Sequence, residues 1–258
     1  MAEVHATATV ETGAVLAPDV TVGPYAYVGA EVVLEAGVRV GPHAVVVGRT
    51  HIGTDTRVFA HACLGGEPQD RGFAGEPTCL EVGRDNVIRE HVTIHVGTPQ
   101  GGGCTRIGDD NLIMNTAHIA HDCQIGSHCI IASFSGLAGH VRVEDHAVLG
   151  AYTGVHQFAR VGESVMAASN AKLSMDAPPF SLVAGDRARL AGLNTVGLKR
   201  RGFARETIRA LKHAFHLTFN SKLRLEEAVV RVQDEIEDVP EVERLLRFLQ
   251  KSERGFCR

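Results

Sequence analysis

The stretch Ile107-Gly-Asp-Asp-Asn-Leu-Ile113-Met-Asn-Thr-Ala-His-Ile119-Ala-His-Asp-Cys-Gln-Ile125 sets isoleucine at every sixth position. A period of six is neither the 3.6 of a helix nor the two of a long strand. It marks a repeated unit of one short strand and one corner. Toward the C-terminus the phase continues through Ile131, Leu137, Val143, Leu149, Val155, Val161, Ala167 and Leu173. Toward the N-terminus it occupies Val82, Ile88 and Ile94. Before them it runs unbroken from Val4 through Val10, Leu16, Val22, Val28, Leu34, Val40, Val46, Ile52 and Val58 to Leu64. Of these 26 positions, 19 are Val or Ile, whose branched Cβ favours strand over helix. Glycine often follows, as at Gly23, Gly41, Gly108, Gly126 and Gly162, and the fifth position is small or β-branched, as at Ala8, Ala44, Thr56 and Cys123.

Three such units close a triangular turn of 18 residues. Stacked turns bury the apolar column and bond backbone to backbone every ~4.8 Å. A sandwich with many strands would not hold one phase over so many units. The expected architecture is mainly β: a parallel β-helix over residues 1–190, then a small α-helical C-terminal domain over 191–258.

Two gaps interrupt the phase. Leu64 to Val82 spans 18 residues, so a loop at about 65–80 is expected to replace two hexads. Ile94 to Ile107 spans 13, so a glycine-rich loop at about 97–106 protrudes. Hexads starting at 119, 137 and 155 differ by 18 and must stack, with hexad 94 below 119. One edge then carries His95, His121 with Asp122, Gly139 with His140, and His156 with Gln157, while His118 precedes the corner. The first loop's missing hexads are expected directly beneath hexad 94. A lone outward histidine is usually solvated surface. A column of them beside two loops marks a candidate site, and histidine is the commonest general base near neutral pH.

The repeat stops at Asp176-Ala-Pro-Pro179, where prolines discourage a further strand. A period near 3.6 follows in Ile208, Leu211, Phe215 and Phe219, then in Leu225, Ala228, Val229, Val232 and Ile236, then in Val242, Leu245, Leu246 and Leu249 after Pro240. Three helices are expected. From Lys199 to Arg224 eight Lys or Arg stand against Glu206 alone. Such a basic patch invites a phosphate or an acidic protein, and Gly197-Leu-Lys-Arg-Arg-Gly202 suits a diphosphate.

The net charge of −4 argues against a global nucleic-acid binder. No apolar run approaches the ~18 residues of a membrane span, and no secretion signal stands at the N-terminus. The six cysteines, at 63, 79, 104, 123, 129 and 257, form no CxxC pair. Reduced thiols in the cytoplasm, without disulfide framework or zinc ribbon, are expected. No cofactor and no metal is assigned.

Seven segments appear in order: Ala74-Gly-Glu-Pro-Thr78, Gln100-Gly-Gly-Gly103, Ala117-His-Ile-Ala-His-Asp-Cys123, Leu137-Ala-Gly-His-Val141, Val155-His-Gln-Phe158, Asp176-Ala-Pro-Pro179 and Asn194-Thr-Val-Gly-Leu-Lys-Arg-Arg-Gly-Phe203. Together they resemble, nearly end to end, the UDP-N-acetylglucosamine acyltransferases that open lipid A synthesis. The resemblance implies a left-handed coil and a homotrimer with sites between subunits. It implies a 3-hydroxyacyl group on acyl carrier protein as donor and the 3-position of UDP-N-acetylglucosamine as acceptor. His121 would be the general base, Asp122 its orienting partner and the Gly139 N–H the oxyanion donor. Asp70, His118, His140, His156 and Gln157 would line the sugar and acyl sites, and His95, stacked on the same edge, is assigned to substrate binding with them. Asn194, Arg200 and Arg201 would hold the nucleotide. Ser169 would stand where acyl length is limited, in a groove open to a medium or long chain.

Gly72, Val196 and Arg187 depart from the family pattern, which leaves a 3-amino sugar as an alternative acceptor. A zinc enzyme like the γ-type carbonic anhydrases, a non-catalytic scaffold and the N-acyltransferase of the same pathway are the other readings. The last normally carries an extra N-terminal domain, whereas the repeats here begin at Val4.

Overall fold

The structure, a computed structural model, describes residues 1–258. The chain winds as a left-handed parallel β-helix whose short strands stack into three sheets, the faces of a triangular prism. Val4, Val22, Val40, Val58, Ile88, Ile113, Ile131, Leu149 and Ala167 climb the first face in register. Val10, Val28, Val46, Leu64, Ile94, Ile119, Leu137, Val155 and Leu173 climb the second. Leu16, Leu34, Ile52, Val82, Ile107, Ile125, Val143 and Val161 climb the third. Most strands hold two residues, one outward and one inward, as in His118–Ile119. Ile119 and Leu137 are fully buried, and each such side chain contributes about 1.5–3 kcal/mol before chain entropy is counted.

Most corners bend through the left-handed region. Tyr25, His43, His61 and His91 do so between the first and second faces, with φ of 57°, 57°, 62° and 60°. This conformation costs a non-glycine residue about 1–2 kcal/mol. Ring stacking along the corner offsets part of that cost: the four rings lie 5.0, 5.0 and 4.9 Å apart.

The structure corrects the expectation for the first gap. Leu64 pairs directly with Ile94, so no hexad is missing beneath hexad 94. Leu64 belongs to the second face and Val82 to the third. The loop is therefore an insertion at a single corner, between Gly66 and Cys79. The second loop, between His95 and Cys104, leaves the same corner one turn later.

Strands Ser181–Ala184 and Arg189–Leu193 pair antiparallel above the last turn. The boundary expected at residue 190 falls within the second of them. Helices α1 (Thr195–Arg200), α2 (Arg205–Phe215), α3 (Leu225–Glu235) and α4 (Pro240–Gln250) follow. The six-residue α1 escaped the periodicity. A single π-turn, His216–Asn220, extends α2. Leu211, Val232 and Leu245, all fully buried, form a second core that includes Phe180 from the end of the coil. The C-terminal segment returns to the coil: Asp176 donates its N–H to Gly255 and accepts that of Cys257 at 3.0 and 2.8 Å. This contact and the helices cover the last turn, as solenoid ends require.

The cysteine expectation is also corrected. Cys79 and Cys104, neighbours in the third sheet, form a disulfide. The other four cysteines are free.

Candidate active site

The corner between the second and third faces carries the chemistry. Stacking brings His118, His121, Gly139, His156 and Gln157 around one cleft of about 610 Å³, with Gln69, Lys172, Ser174 and Arg187 completing its wall. His140 lies beside it, its ring 5.1 Å from that of His121 and edge-on. The expected ridge thus forms from residues up to 39 positions apart.

Asp122 occupies the left-handed corner position, φ 61°, a conformation that Asp tolerates better than most residues. Its side chain is wholly buried, and its Oδ2 lies 2.7 Å from His121 Nδ1. A carboxylate only accepts, so Nδ1 carries the hydrogen and Nε2 keeps its lone pair. Thr98 adds two bonds to the same carboxylate: its N–H reaches Oδ1 at 2.8 Å, and its hydroxyl reaches Oδ2 at 2.6 Å. Thr105 accepts the Asp122 N–H at 2.8 Å. Both threonines escaped the sequence reading. Thr98 stands just before Pro99 and caps a one-turn helix, Pro99–Gly101, and that pattern was the available signal. Gly101 packs so closely on Asp122 that a side chain there would strike the carboxylate.

Gly139 faces the His121 ring. A Cβ added there would lie 2.5 Å from Cε1 and 2.7 Å from Nε2. The Gly139 N–H donates to no group of the chain.

Burial, reinforced by the neighbouring His118 and His121, pushes the His95 imidazole down to about 4. Its Nδ1 is buried without a partner, and the ring stands edge-on to His118. Burial also lowers His118, whose Nδ1 is bonded to the Thr93 hydroxyl at 2.7 Å. His140 is lowered by burial as well, although Asp122 and Asp70 pull the other way. These rings are therefore neutral in the folded protein near pH 7.

His121, Asp122 and His140 place three donor atoms within 4.8 Å, the spacing of a candidate metal group. Here, however, the Asp122 oxygens are already taken by Thr98 and His121.

The remaining sequence candidates lie elsewhere. Asp70 stands exposed in the first loop, next to the cleft residue Gln69. Ser169 is exposed at the corner between the first and second faces, outside the cleft lining. Asn194 caps α1 by accepting the Gly197 N–H at 3.0 Å and donates to the Ser164 carbonyl at 3.0 Å. Arg201 is bonded to Glu163 at 2.9 Å and to Ser164. Asn194 and Arg201 thus sit at the corner between the third and first faces, one face away from the histidine ridge. Arg200 is exposed on the same helix.

Comparison with known proteins separates acyl transfer from the other readings. Residues 104–139 match the bacterial transferase hexapeptide family, and residues 176–257 match the second domain of UDP-N-acetylglucosamine O-acyltransferases. The acyl-[acyl-carrier-protein]–UDP-N-acetylglucosamine O-acyltransferase of Janthinobacterium sp. (strain Marseille) is 49% identical across the whole of both chains. The chain belongs to the UDP-N-acetylglucosamine O-acyltransferase family. The relative from Thermodesulfovibrio yellowstonii is 44% identical over the same extent. Among solved structures, LpxA from Acinetobacter baumannii superposes with a TM-score of 0.96 at 39% identity, covering 99% of each chain. The Arabidopsis UDP-N-acetylglucosamine acyltransferase superposes at 0.86 and 34% identity, covering 99% of this chain and 100% of its own. Family membership sets aside the zinc reading and the inert scaffold.

Proposed function

We infer that this chain transfers an acyl group from acyl carrier protein to the 3-hydroxyl of UDP-N-acetylglucosamine, the first step of lipid A biosynthesis. The observation that carries this reading is the His121 ring, tied through Nδ1 to a buried carboxylate at 2.7 Å with Nε2 left free beside the cleft. An imidazole so held is a general base of fixed tautomer.

His121 Nε2 takes the proton from the sugar hydroxyl as its oxygen attacks the thioester carbonyl. Asp122 stabilises the imidazolium that forms. The unpartnered Gly139 N–H offers a hydrogen bond to the tetrahedral oxyanion. Collapse expels the carrier thiolate, which recovers the proton from His121. His118, His140, His156 and Gln157 orient the sugar and the 3-hydroxyacyl chain, with Asp70 at the rim and His95 supporting His118. An oxygen acceptor is favoured over the 3-amino sugar, because both the matched family and its named relatives are O-acyltransferases.

Asn194 and Arg201 stand a face away from the ridge, with Arg200 exposed on the helix that Asn194 caps. They reach a nucleotide at the ridge only from a second chain. A closed homotrimer with one site at each interface meets this requirement. Arg200 and Arg201 would bring positive charge to the diphosphate, while Asn194 positions their helix. Lys199, Arg205, Arg209 and Lys212 are exposed around them and offer a landing surface to the acidic carrier protein. No helix is long and apolar enough to cross a membrane. We place the reaction in the cytoplasm.

Purified protein incubated with UDP-N-acetylglucosamine and a ladder of acyl-carrier-protein thioesters, with products read by mass spectrometry, tests the reading. His121→Ala should lower turnover by about two orders of magnitude or more with the fold retained. Near-normal turnover in that variant overturns the assignment.

A further inference from the structure

We propose that Cys79 and Cys104 are a reversible redox pair that clips together the roots of both loops at the active corner. Cys79 is the first strand residue after one loop, and Cys104 is the first after the other. They stand directly opposite each other in neighbouring parallel strands, with Cα atoms 4.6 Å apart, and their sulfurs are bonded. Leu80 and Thr105, the next residues, are fully buried, so both cysteines take the outward half of the alternation. The strand spacing of the coil, ~4.8 Å, already brings the sulfurs together, and closing the bond needs no backbone movement.

The position matters because Cys79 touches both ends of the second loop. It accepts the Gly97 N–H at 3.1 Å and donates its own N–H to Gly103 at 2.8 Å. Between those ends lies Thr98, whose two bonds hold Asp122. One residue beyond Cys104, Thr105 holds the Asp122 backbone. A bond between the sulfurs thus restrains the two segments that fix the catalytic carboxylate.

The chemistry is selective. Cys63, Cys123, Cys129 and Cys257 have no disulfide partner. Burial pushes the Cys123 and Cys129 thiols up to about 12 and Cys257 to about 11, and it raises Cys63. Such thiols are poor nucleophiles. Cys79 is half-buried and reachable from solvent, whereas Cys104 is buried. A hydroperoxide, ROOH, oxidises Cys79 to its sulfenic acid and leaves as ROH. The Cys104 thiol then attacks that sulfur and releases water. Two electrons pass from the sulfurs to the peroxide, and a dithiol reductant reverses the change by exchange. Glu81 lies with the two sulfurs in a group of metal-binding size. It is already bonded to Arg106 at 2.8 Å, which favours the redox reading over a cation site.

The test uses full-length protein, reduced with dithiothreitol and then either kept reduced or exposed to hydrogen peroxide. After oxidation, an unreduced digest should contain one cross-link, Cys79 to Cys104, and four thiols should still alkylate. Amide exchange across residues 97–103 should slow about tenfold on oxidation. Cys104→Ser, with Cys79→Ser as a second variant, should abolish that difference while retaining turnover. Six alkylatable thiols after peroxide, a cross-link between other cysteines, identical exchange in the two states, or stoichiometric zinc in the reduced protein would each overturn the proposal.

Discussion

Thr98 and His121 donate to the same oxygen of Asp122, at 2.6 and 2.7 Å. One residue comes from an inserted loop and the other from the regular coil, so the loop is part of what fixes the base. Thr98→Val keeps the backbone bond to Asp122 and deletes the hydroxyl. Turnover should fall about 10- to 100-fold, since one charged hydrogen bond contributes roughly 1.5–3 kcal/mol. KM should hold, because the hydroxyl touches no substrate. Steady-state kinetics against both substrates checks the split.

Gly139→Ala is expected to cost more than its size suggests. The new methyl would meet the His121 ring at 2.5 Å. The ring must turn, and displacing a base by about 1 Å costs on the order of 100-fold. Thermal unfolding should barely change, because the methyl enters the cleft and not the core. Wild-type turnover in this variant would remove Gly139 from the site.

The histidine ridge sets a pH dependence of stability. His95 is held at about 4 in the fold by burial, while the unfolded chain titrates it near ~6.5. Between these values the unfolded state binds more protons, so stability is full above 6.5 and declines as pH falls toward 4. His118 and His140, also lowered, act in the same direction. His95→Gln should flatten the fall of the melting temperature between pH 7 and pH 4. An unchanged slope would show that His95 does not contribute to it.

Subunit mixing tests where the nucleotide is held. His121→Ala and Arg200→Ala proteins, each nearly inactive, should regain activity when unfolded together and reassembled. If each site takes His121 from one chain and Arg200 from the next, random closed trimers restore about a quarter of the sites. No recovery would place both residues in a site made by one chain.

Much of this site was legible in the repeat. The Val and Ile column placed hexad 94 beneath 119, and with it His95, His118 and His121 near one corner. The first loop was misread because 18 residues, Leu64 to Val82, suit both a full turn and an insertion at one corner. Spacing in multiples of six does not distinguish them. Thr98 and Thr105 stayed hidden because a hydroxyl's partner is a matter of three dimensions. Cys79 and Cys104 stand 25 residues apart, one full turn plus the second insertion. Counting that insertion would have placed them side by side. The resemblance gave Asn194, Arg200 and Arg201 to the nucleotide, at sites between subunits, and the single chain holds Asn194 and Arg201 at another corner than the ridge.

Because both loops emerge from one vertex on successive turns, the prism keeps its register whatever length or composition they have. Segment 67–78 is therefore a natural cassette, whereas 97–103 must keep Thr98 on Asp122. Randomising it, Gln69 included, would vary one wall of the cleft while the spool beneath goes on winding as before.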